Sequence, residues 1–174
     1  IWGDNRSTHY FSNKGNGPKQ LDPGLYGLSN HLLDTSWPKV EQVKVAFTKV
    51  LDPGNNLTAE NLLAPLQSTA IAPDESLPHT GIGLEWERAL SPCFIKTDKY
   101  GTRSSTVLLV HQSGKVRIEE WSFHPKEQNS FSFQINNSSS LISLTIRDVS
   151  VSGINIIFAD ANCSFSISNI VSAR

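Results

Sequence analysis

The residues that come nearest to a catalytic arrangement lie in the string GLSNH at positions 27–31. A nucleophile elbow has the form Gly-x-Ser-x-Gly, because its serine sits in a tight strand-to-helix turn where glycines relieve crowding. Here His31 replaces the second glycine, and no usable helix begins before Pro38. Ser29, His31 and Asp34 are also so close in sequence that a hydroxyl–imidazole–carboxylate relay rarely forms. The sequence therefore predicts a strand, a loop and a helix start here, and no serine nucleophile.

A second candidate is Arg103, within the string GTRSST at positions 101–106. Burying a guanidinium at the start of an apolar strand is energetically unfavourable unless it contacts a carboxylate, a ligand anion or water. Two interpretations remain open. Arg103 pairs with an Asp or Glu at the edge of a sheet, or it faces a pocket and holds an anionic or carbonyl group. Asn30 is likewise open, because a loop asparagine commonly bonds its own backbone.

Composition and motifs exclude several classes of function. The 174 residues carry a net charge of −1 with a pI near 6.6, so there is no basic field to attract nucleic acid. Cys93 and Cys163 form no Cys-x-x-Cys pair, and the histidines lack ligand spacing, so neither a zinc site nor a disulfide framework is expected. Phosphate loops, dinucleotide fingerprints and apolar runs of roughly 20 residues are also absent from the sequence. We therefore expect no cofactor, no metal, no nucleic-acid partner, no membrane span and a soluble, cytoplasmic protein, with organelle association left open.

The hydrophobic pattern predicts three helices and several strands. Pro38 suits the first position of a helix, and the string DPG at 52–54 ends it. Thr58 is expected to cap a shorter helix that runs to Leu66. A third helix is predicted at 84–90, and strands at 9–12, 24–29, 100–110, 116–121 and 131–133. Helices grouped between hairpins favour the α+β class.

The composition changes towards the end of the chain. Residues 130–174 contain 12 serines and only four charged residues. Apolar and hydroxyl side chains alternate there, as at 143–146 and 164–167, which is typical of strands with one wet face. Either the segment forms edge strands, or it was never selected to fold in this context. We therefore divide the chain into a domain at 1–135 and a Ser-rich, β-patterned tail at 136–174.

Three ordered blocks resemble a known family. They are LDPGLYGLSNHLLDTSWPKV (21–40), LPHTGIGLEWERALSPCFI (77–95) and YGTRSSTVLLVHQSGKVRIEEWSF (100–123), preceded by GDNRSTHYFSNKGN (3–16). This order resembles the C-terminal portion of the NRDE family, the transport-and-Golgi-organisation proteins. The resemblance covers residues 1–135. It implies links to Golgi organisation, to lipid and mitochondrial metabolism and to haem trafficking.

The resemblance also implies a fold and a site. The fold is an N-terminal-nucleophile-hydrolase-like αββα sandwich with mostly antiparallel sheets. In its cysteine-type relatives, an N-terminal cysteine uses its own α-amino group as the base, and an Asn and an Arg on later strands stabilise the oxyanion and anchor the nucleophile. Asn30 and Arg103 are the matching positions here. The candidate ligand-binding residues around them are His31, Asp34, Trp37, Thr102, Ser104 and Ser105.

The chain departs from the family pattern in the group that would react. It opens on Ile1, has neither a Met-Cys start nor an Asn-Arg-Asp-Glu motif, and carries its cysteines internally. An internal cysteine such as Cys93 has no free α-amine to activate it. We therefore expect a fragment that is not catalytic alone and whose partner is the N-terminal half of the same protein. Two alternatives stay open: a non-enzymatic carrier of haem or an acyl ligand that holds a carboxylate or amide at Arg103, and a structural pseudodomain.

Overall fold

The fold is that of a computed structural model, which describes residues 1–3, 7–98, 100–135, 142–143, 155–159 and 163–173. Only the strand backbone is described in the last three ranges. Within these ranges the strands are β1 (Trp2–Gly3), β2 (Thr8–Tyr10), β3 (Lys19–Leu21), β4 (Gly24–Leu28), β5 (Tyr100–His111), β6 (Lys115–Phe123), β7 (Lys126–Gln134), β8 (Ile142–Ser143), β9 (Asn155–Ala159) and β10 (Cys163–Ala173). The α-helices are α1 (Pro38–Val50), α2 (Ala59–Leu63) and α3 (Leu84–Leu90), with short 3-10 helices at Ala64–Gln67 and Asp74–Ser76.

The strands form two antiparallel sheets. The smaller sheet has the order β3-β2-β1-β8, and the larger has the order β4-β9-β10-β5-β6-β7. The helices α1, α2 and α3 all lie between β4 and β5 in the chain, and they do not alternate with parallel strands. This arrangement confirms the predicted α+β class with antiparallel sheets.

Helix α1 begins and ends at the signals in its sequence. Trp37 is extended, with φ −76° and ψ 145°, and Pro38 takes the first helical position, where a missing N–H costs no hydrogen bond. The helix ends at Val50, and Gly54 then adopts φ +107° in the turn that follows. That left-handed conformation favours glycine.

Helix α2 is shorter than the sequence predicts. Thr58 caps it as expected, since its Oγ1 accepts a hydrogen bond from the backbone N–H of Asn61 at 3.2 Å. The predicted continuation to Leu66 is wrong, because the α-helix stops at Leu63 and the chain enters a 3-10 helix. Pro65 lacks the N–H that an α-helix would bond to the carbonyl of Asn61, so the helix cannot continue in the same form.

One face of the larger sheet is covered by α1 and α2. Val43 and Phe47 of α1, Leu62 of α2 and Leu66 pack with Val107 of β5 in one buried cluster. All five are at most 1% exposed. Because this cluster fixes α1 against the sheet, it also fixes the first turn of the helix, where the candidate site lies.

The opposite face of the β5–β6 hairpin is apolar as well. Leu108, Val110, Val116 and Ile135 form a second buried cluster. Neighbouring residues of the apolar run in β5 are therefore buried on both sides of the sheet, as is usual for a strand with a continuous apolar sequence.

Two strands of the Ser-rich tail lie inside the larger sheet. β10 pairs with β5, and β9 pairs with both β10 and β4. The tail thus separates β4 from β5 and does not occupy an edge in this part of the sheet. Most of the other alternating stretch, residues 144–146, lies outside the described residues.

Candidate functional site

A cleft of about 300 Å³ opens beside the first turn of α1. The loop after β4, the start of α1, the chain at 78–82 and helix α3 contribute its walls. We call it the Lys39 cleft. The residues that line it are Asn30, His31, Trp37, Pro38, Lys39, Pro78, Thr80, Ile82, Glu87, Leu90 and Ser91.

Lys39 occupies an unusual position for a lysine. It is only 6% exposed, although it is the second residue of a helix. Its Nζ donates a hydrogen bond to the carbonyl oxygen of Leu90 at 2.9 Å and lies 6.0 Å from the centre of the Trp37 ring. An ammonium has three donors, and within the described part of the chain it makes this one hydrogen bond and no ion pair.

Burial also changes the ionisation of Lys39. Desolvation lowers the pKa of Lys39 to about 8, and the negative charge of Glu87 opposes this shift. Cys93 contacts the lysine backbone, since its Sγ donates to the carbonyl oxygen of Lys39 at 3.6 Å. Burial raises the pKa of the Cys93 thiol to about 12, so the thiol is neutral where Lys39 titrates. Glu87 is then the negative charge that supports the ammonium.

Glu87 fixes the wall of the cleft that α3 provides. It is 7% exposed, and its Oε1 accepts hydrogen bonds from the backbone N–H of Thr80 at 2.8 Å and from Thr80 Oγ1 at 2.6 Å. The next residue of α3, Arg88, donates through Nε to Asp74 Oδ1 at 2.7 Å and through Nη2 to the second oxygen. Both ends of the segment between Asp74 and Thr80 are therefore hydrogen-bonded to side chains of α3.

The loop before α1 brings two rings to the cleft. The Nδ1 of His31 lies 2.8 Å from Thr35 Oγ1. The His31 ring is 6.0 Å from the Trp37 ring, with 39° between their planes. Asn30 is half-buried beside them. The three lining residues Asn30, His31 and Trp37 thus combine an amide, an imidazole and an indole at one end of the cleft.

Asp34 does not line the cleft, because its carboxylate holds the loop together. Its Oδ1 accepts hydrogen bonds from the backbone N–H of Gly27 at 2.8 Å and from Lys44 Nζ at 2.9 Å. Ser29 Oγ is buried and has no hydrogen-bond partner among the described residues. Ser29, His31 and Asp34 therefore form no catalytic relay in this structure.

The other predicted side chains lie on β5 and outside the Lys39 cleft. Thr102, Ser104 and Ser105 are all buried in the sheet. Thr102 Oγ1 accepts a hydrogen bond from the backbone N–H of Ile95 at 2.9 Å. Arg103 is exposed at a shift in the pairing of β5 with β10, and none of the described residues forms an ion pair with it.

Asn30 follows the end of β4 and Arg103 lies within β5, and both are displaced in the same direction along the larger sheet. Leu28 of β4 shares a row with Thr106 of β5 through the pairs that link β4, β9, β10 and β5. Asn30 comes two residues after this row, in the loop that follows β4, and Arg103 comes three residues before it, within β5. At this row β4 and β5 are separated by three strand spacings, about 14 Å.

The cleft lies within a segment that matches a known family. The sequence profile of Transport and Golgi organisation 2 (TANGO2) matches residues 1–125, which is more than half of the chain and includes the whole cleft. The chain belongs to the TANGO2 family. The resemblance to the NRDE proteins, which are the same family, is thereby confirmed.

Several curated TANGO2 proteins align with the chain. The Transport and Golgi organization protein 2 homolog of Bos taurus is 36% identical over 119 residues, which cover 64% of this chain and 43% of the relative. The homolog of Homo sapiens is 31% identical over 126 residues, with coverage of 68% and 46%. The homolog of Mus musculus is 29% identical over 141 residues, with coverage of 74% and 51%. The chain therefore spans about half the length of the TANGO2 relatives it matches.

Two further observations concern the described ranges of this TANGO2 chain. No three His, Cys, Asp or Glu side chains in them cluster in a way that could hold a metal ion. None of their helices combines the length and the apolar character that crossing a bilayer requires.

Lys39 and Glu87 are residues of this cleft that the sequence analysis missed. A signal for Lys39 was present, because Lys39, Val43 and Phe47 are four residues apart and share the buried face of α1. A lysine within an apolar stripe marks a charge that folding removes from water. Glu87 gave no comparable signal, since it is the buried residue of a seven-residue helix with exposed neighbours.

Proposed function

We propose that this TANGO2-family chain binds a small amphipathic molecule with a carboxylate or amide group, and that it does so without catalysis. The observation that carries the proposal is the buried ammonium of Lys39, which faces a cleft of about 300 Å³ and uses one donor on Leu90. A buried charge without enough partners is unfavourable. A ligand carboxylate or carbonyl oxygen supplies the acceptor that the ammonium lacks.

The rest of the lining supports an apolar body on this ligand. Trp37, Pro38, Pro78, Ile82 and Leu90 offer hydrocarbon surface around the polar groups. Small-molecule sites usually measure about 300–1,000 Å³, so the cleft is at the lower limit. A slender acyl chain therefore suits it better than haem, whose propionates would offer the same carboxylates on a wide macrocycle.

The state of two potential nucleophiles supports binding without catalysis. Burial raises the pKa of Cys93 to about 12, so its thiolate is scarce at neutral pH. Ser29 Oγ is buried without a histidine to take its proton. Neither side chain has the activation that acyl transfer requires.

Calorimetric titration with octanoate and octanamide tests this function. Octanoate is expected to bind, and Lys39→Met should weaken its binding about tenfold or more, because a hydrogen bond to a charged group contributes about 1.5–3 kcal/mol. Octanamide should lose less, since its acceptor is neutral. Haem titrated against the same variants measures whether the wider ligand enters.

Lys49→Met is the matched control for this titration. Lys49 lies in the last turn of the same helix and is exposed, so its replacement removes the same charge away from the cleft. Equal affinities of octanoate for wild type and Lys39→Met, or no binding of any of the three ligands, would contradict the proposal.

A second candidate function is one wall of an N-terminal-nucleophile hydrolase. It is favoured by the positions of Asn30 and Arg103, which are displaced in the same direction from the row that links Leu28 with Thr106. In this proposal the attacking cysteine belongs to a part of the protein outside this chain. It ranks second because β4 and β5 are about 14 Å apart at this row. The two side chains would therefore have to reach a substrate from opposite sides.

Co-expression tests the hydrolase candidate. The chain is combined with the part of the bovine relative that it does not match, and the complex is assayed on an amide and a thioester. Turnover that falls in Asn30→Ala and Arg103→Ala supports the candidate. A complex that elutes as one species but shows no turnover contradicts it.

A further inference from the structure

We propose that Lys39 captures aldehydes within its cleft as a reversible imine. The proposal rests on the ligand-binding role of the Lys39 cleft and names a chemical class for it: an apolar chain that ends in an aldehyde. The site is a primary amine, 6% exposed, in the wall of a cleft of about 300 Å³.

The single hydrogen bond of Lys39 orients the amine for attack. A neutral amine has two N–H groups and one lone pair. One N–H donates to the Leu90 carbonyl at 2.9 Å, so the lone pair and the second N–H are not engaged by that carbonyl. Nζ forms no ion pair with a carboxylate of the described residues.

The ionisation of the site favours this chemistry. With a pKa of about 8, roughly one tenth of the Lys39 side chains are neutral at pH 7, against fewer than one in a thousand for an ordinary lysine. Glu87 from α3 and Cys93 after α3 are the titratable groups near the amine, and His31 from the loop before α1 lines the same cleft. Glu87 opposes loss of the proton, and the neutral Cys93 thiol, with its pKa raised to about 12, does not compete as a nucleophile.

The reaction balances without an oxidant or a reductant. The Nζ lone pair forms a C–N bond to the aldehyde carbon, and one N–H proton is transferred through solvent to the carbonyl oxygen, which gives a carbinolamine. The hydroxyl of the carbinolamine takes up a proton from solvent and leaves as water while a C=N bond forms, and the nitrogen returns its remaining proton to solvent. The net change is amine plus aldehyde to imine plus water. Hydrolysis reverses it, so the ligand is released unchanged.

Borohydride trapping with octanal tests the proposal on the intact chain. The chain is incubated with octanal at pH 8, reduced with borohydride in the assay, digested and mapped by mass spectrometry. We expect the reduced adduct at Lys39 to exceed that at Lys49 at least tenfold. Its rate of formation should reach half its maximum near pH 8, whereas adducts at exposed lysines should keep rising above pH 10.

Lys39→Arg is the second variant in this test. It keeps the positive charge and removes the primary amine, so we expect no adduct at position 39, whereas the adduct at the exposed Lys49 should form as in the wild type. Adducts spread evenly over exposed lysines, in a chain that binds octanoate, would overturn the imine proposal and leave the binding function in place. An adduct at Lys39 in a chain that does not bind octanoate would support the imine and contradict the carboxylate ligand.

Discussion

The ammonium of Lys39 is desolvated because the face of α1 that carries it packs against the rest of the protein. Val43 and Phe47 lie on the same face of α1 and are at most 1% exposed, so docking that face against the sheet buries the lysine one turn earlier. The Leu90 carbonyl and the Trp37 ring offset only part of the lost hydration. The residue therefore destabilises the empty fold, and a ligand acceptor would offset that cost.

Lys39→Met should change how stability depends on pH. The folded-state pKa of Lys39 is about 8 and the unfolded value is about 10.4, so the unfolded chain binds more protons between these values. Wild-type stability is then lowest below pH 8 and rises relative to Lys39→Met as the pH approaches 10.4. Urea unfolding at pH 7 and pH 10 should show the difference between the two proteins change by about 2 kcal/mol. Lys49→Met should show no such change, and parallel curves for wild type and Lys39→Met would contradict the burial of this ammonium.

Three of the candidate residues named with the family resemblance, Asn30, His31 and Trp37, line the Lys39 cleft. Asp34 lies in the same loop but points away from the cleft lining. Its carboxylate accepts hydrogen bonds from the Gly27 N–H and from Lys44 Nζ, and its own backbone is in a turn with φ 57°. Sequence spacing could not separate these roles, since they depend on the direction in which each side chain leaves the loop.

At the level of helices and strands, turn residues and hydrophobic patterns in the sequence predicted the elements whose ends depend on local interactions. Helix α1 begins at Pro38 and ends before the turn at 52–54, as the sequence indicates. The third helix and the β5–β6 hairpin also lie where the hydrophobic pattern predicts them. β1 and β3 escaped prediction because two or three residues are too few to show an alternation. The insertion of β9 and β10 between β4 and β5 also escaped it, because alternation identifies a strand but not its neighbour.

The N-cap of α2 gives a prediction for a helix that contributes to the core. Thr58→Ala removes the hydrogen bond that the Asn61 N–H donates to Thr58 Oγ1 and should lower the unfolding free energy by about 1 kcal/mol. Thr48→Ala is the matched control, because Thr48 is exposed and its Oγ1 donates to the Lys44 carbonyl within α1. Urea unfolding should show a change below about 0.5 kcal/mol for the control. Equal losses in the two variants would contradict the capping role.

The turn between β5 and β6 depends on a glycine for two separate reasons. Gly114 has φ +84°, and a Cβ there would lie 2.5 Å from the carbonyl oxygen of Ile135. Gly81 has φ +88° but nothing within 4 Å. Gly81→Ala should therefore lose only the left-handed backbone preference, about 1 kcal/mol, and Gly114→Ala should lose clearly more. Thermal unfolding of the two variants measures the difference, and similar melting temperatures would show that the close contact with Ile135 is absent.

At the scale of the whole molecule, the chain is an α+β member of the TANGO2 family that spans about half the length of its relatives. Its cleft is formed by the loop after β4, α1 and α3, all of which lie within the matched residues 1–125. The sequence could identify the family and the fold class. It could not show the cleft, because the cleft depends on α1 and α3 meeting across a contact between Lys39 and Leu90, which are 51 positions apart.

Amide chemical shifts recorded during titration with octanoate test whether the ligand binds in the Lys39 cleft. We expect the largest shift changes at four cleft residues, Asn30, Trp37, Thr80 and Leu90. The amides of Ser104 and Ser105 on β5 should change little. Changes that cluster around Arg103 on β5, or a spectrum that does not respond to octanoate, would contradict ligand binding in this cleft.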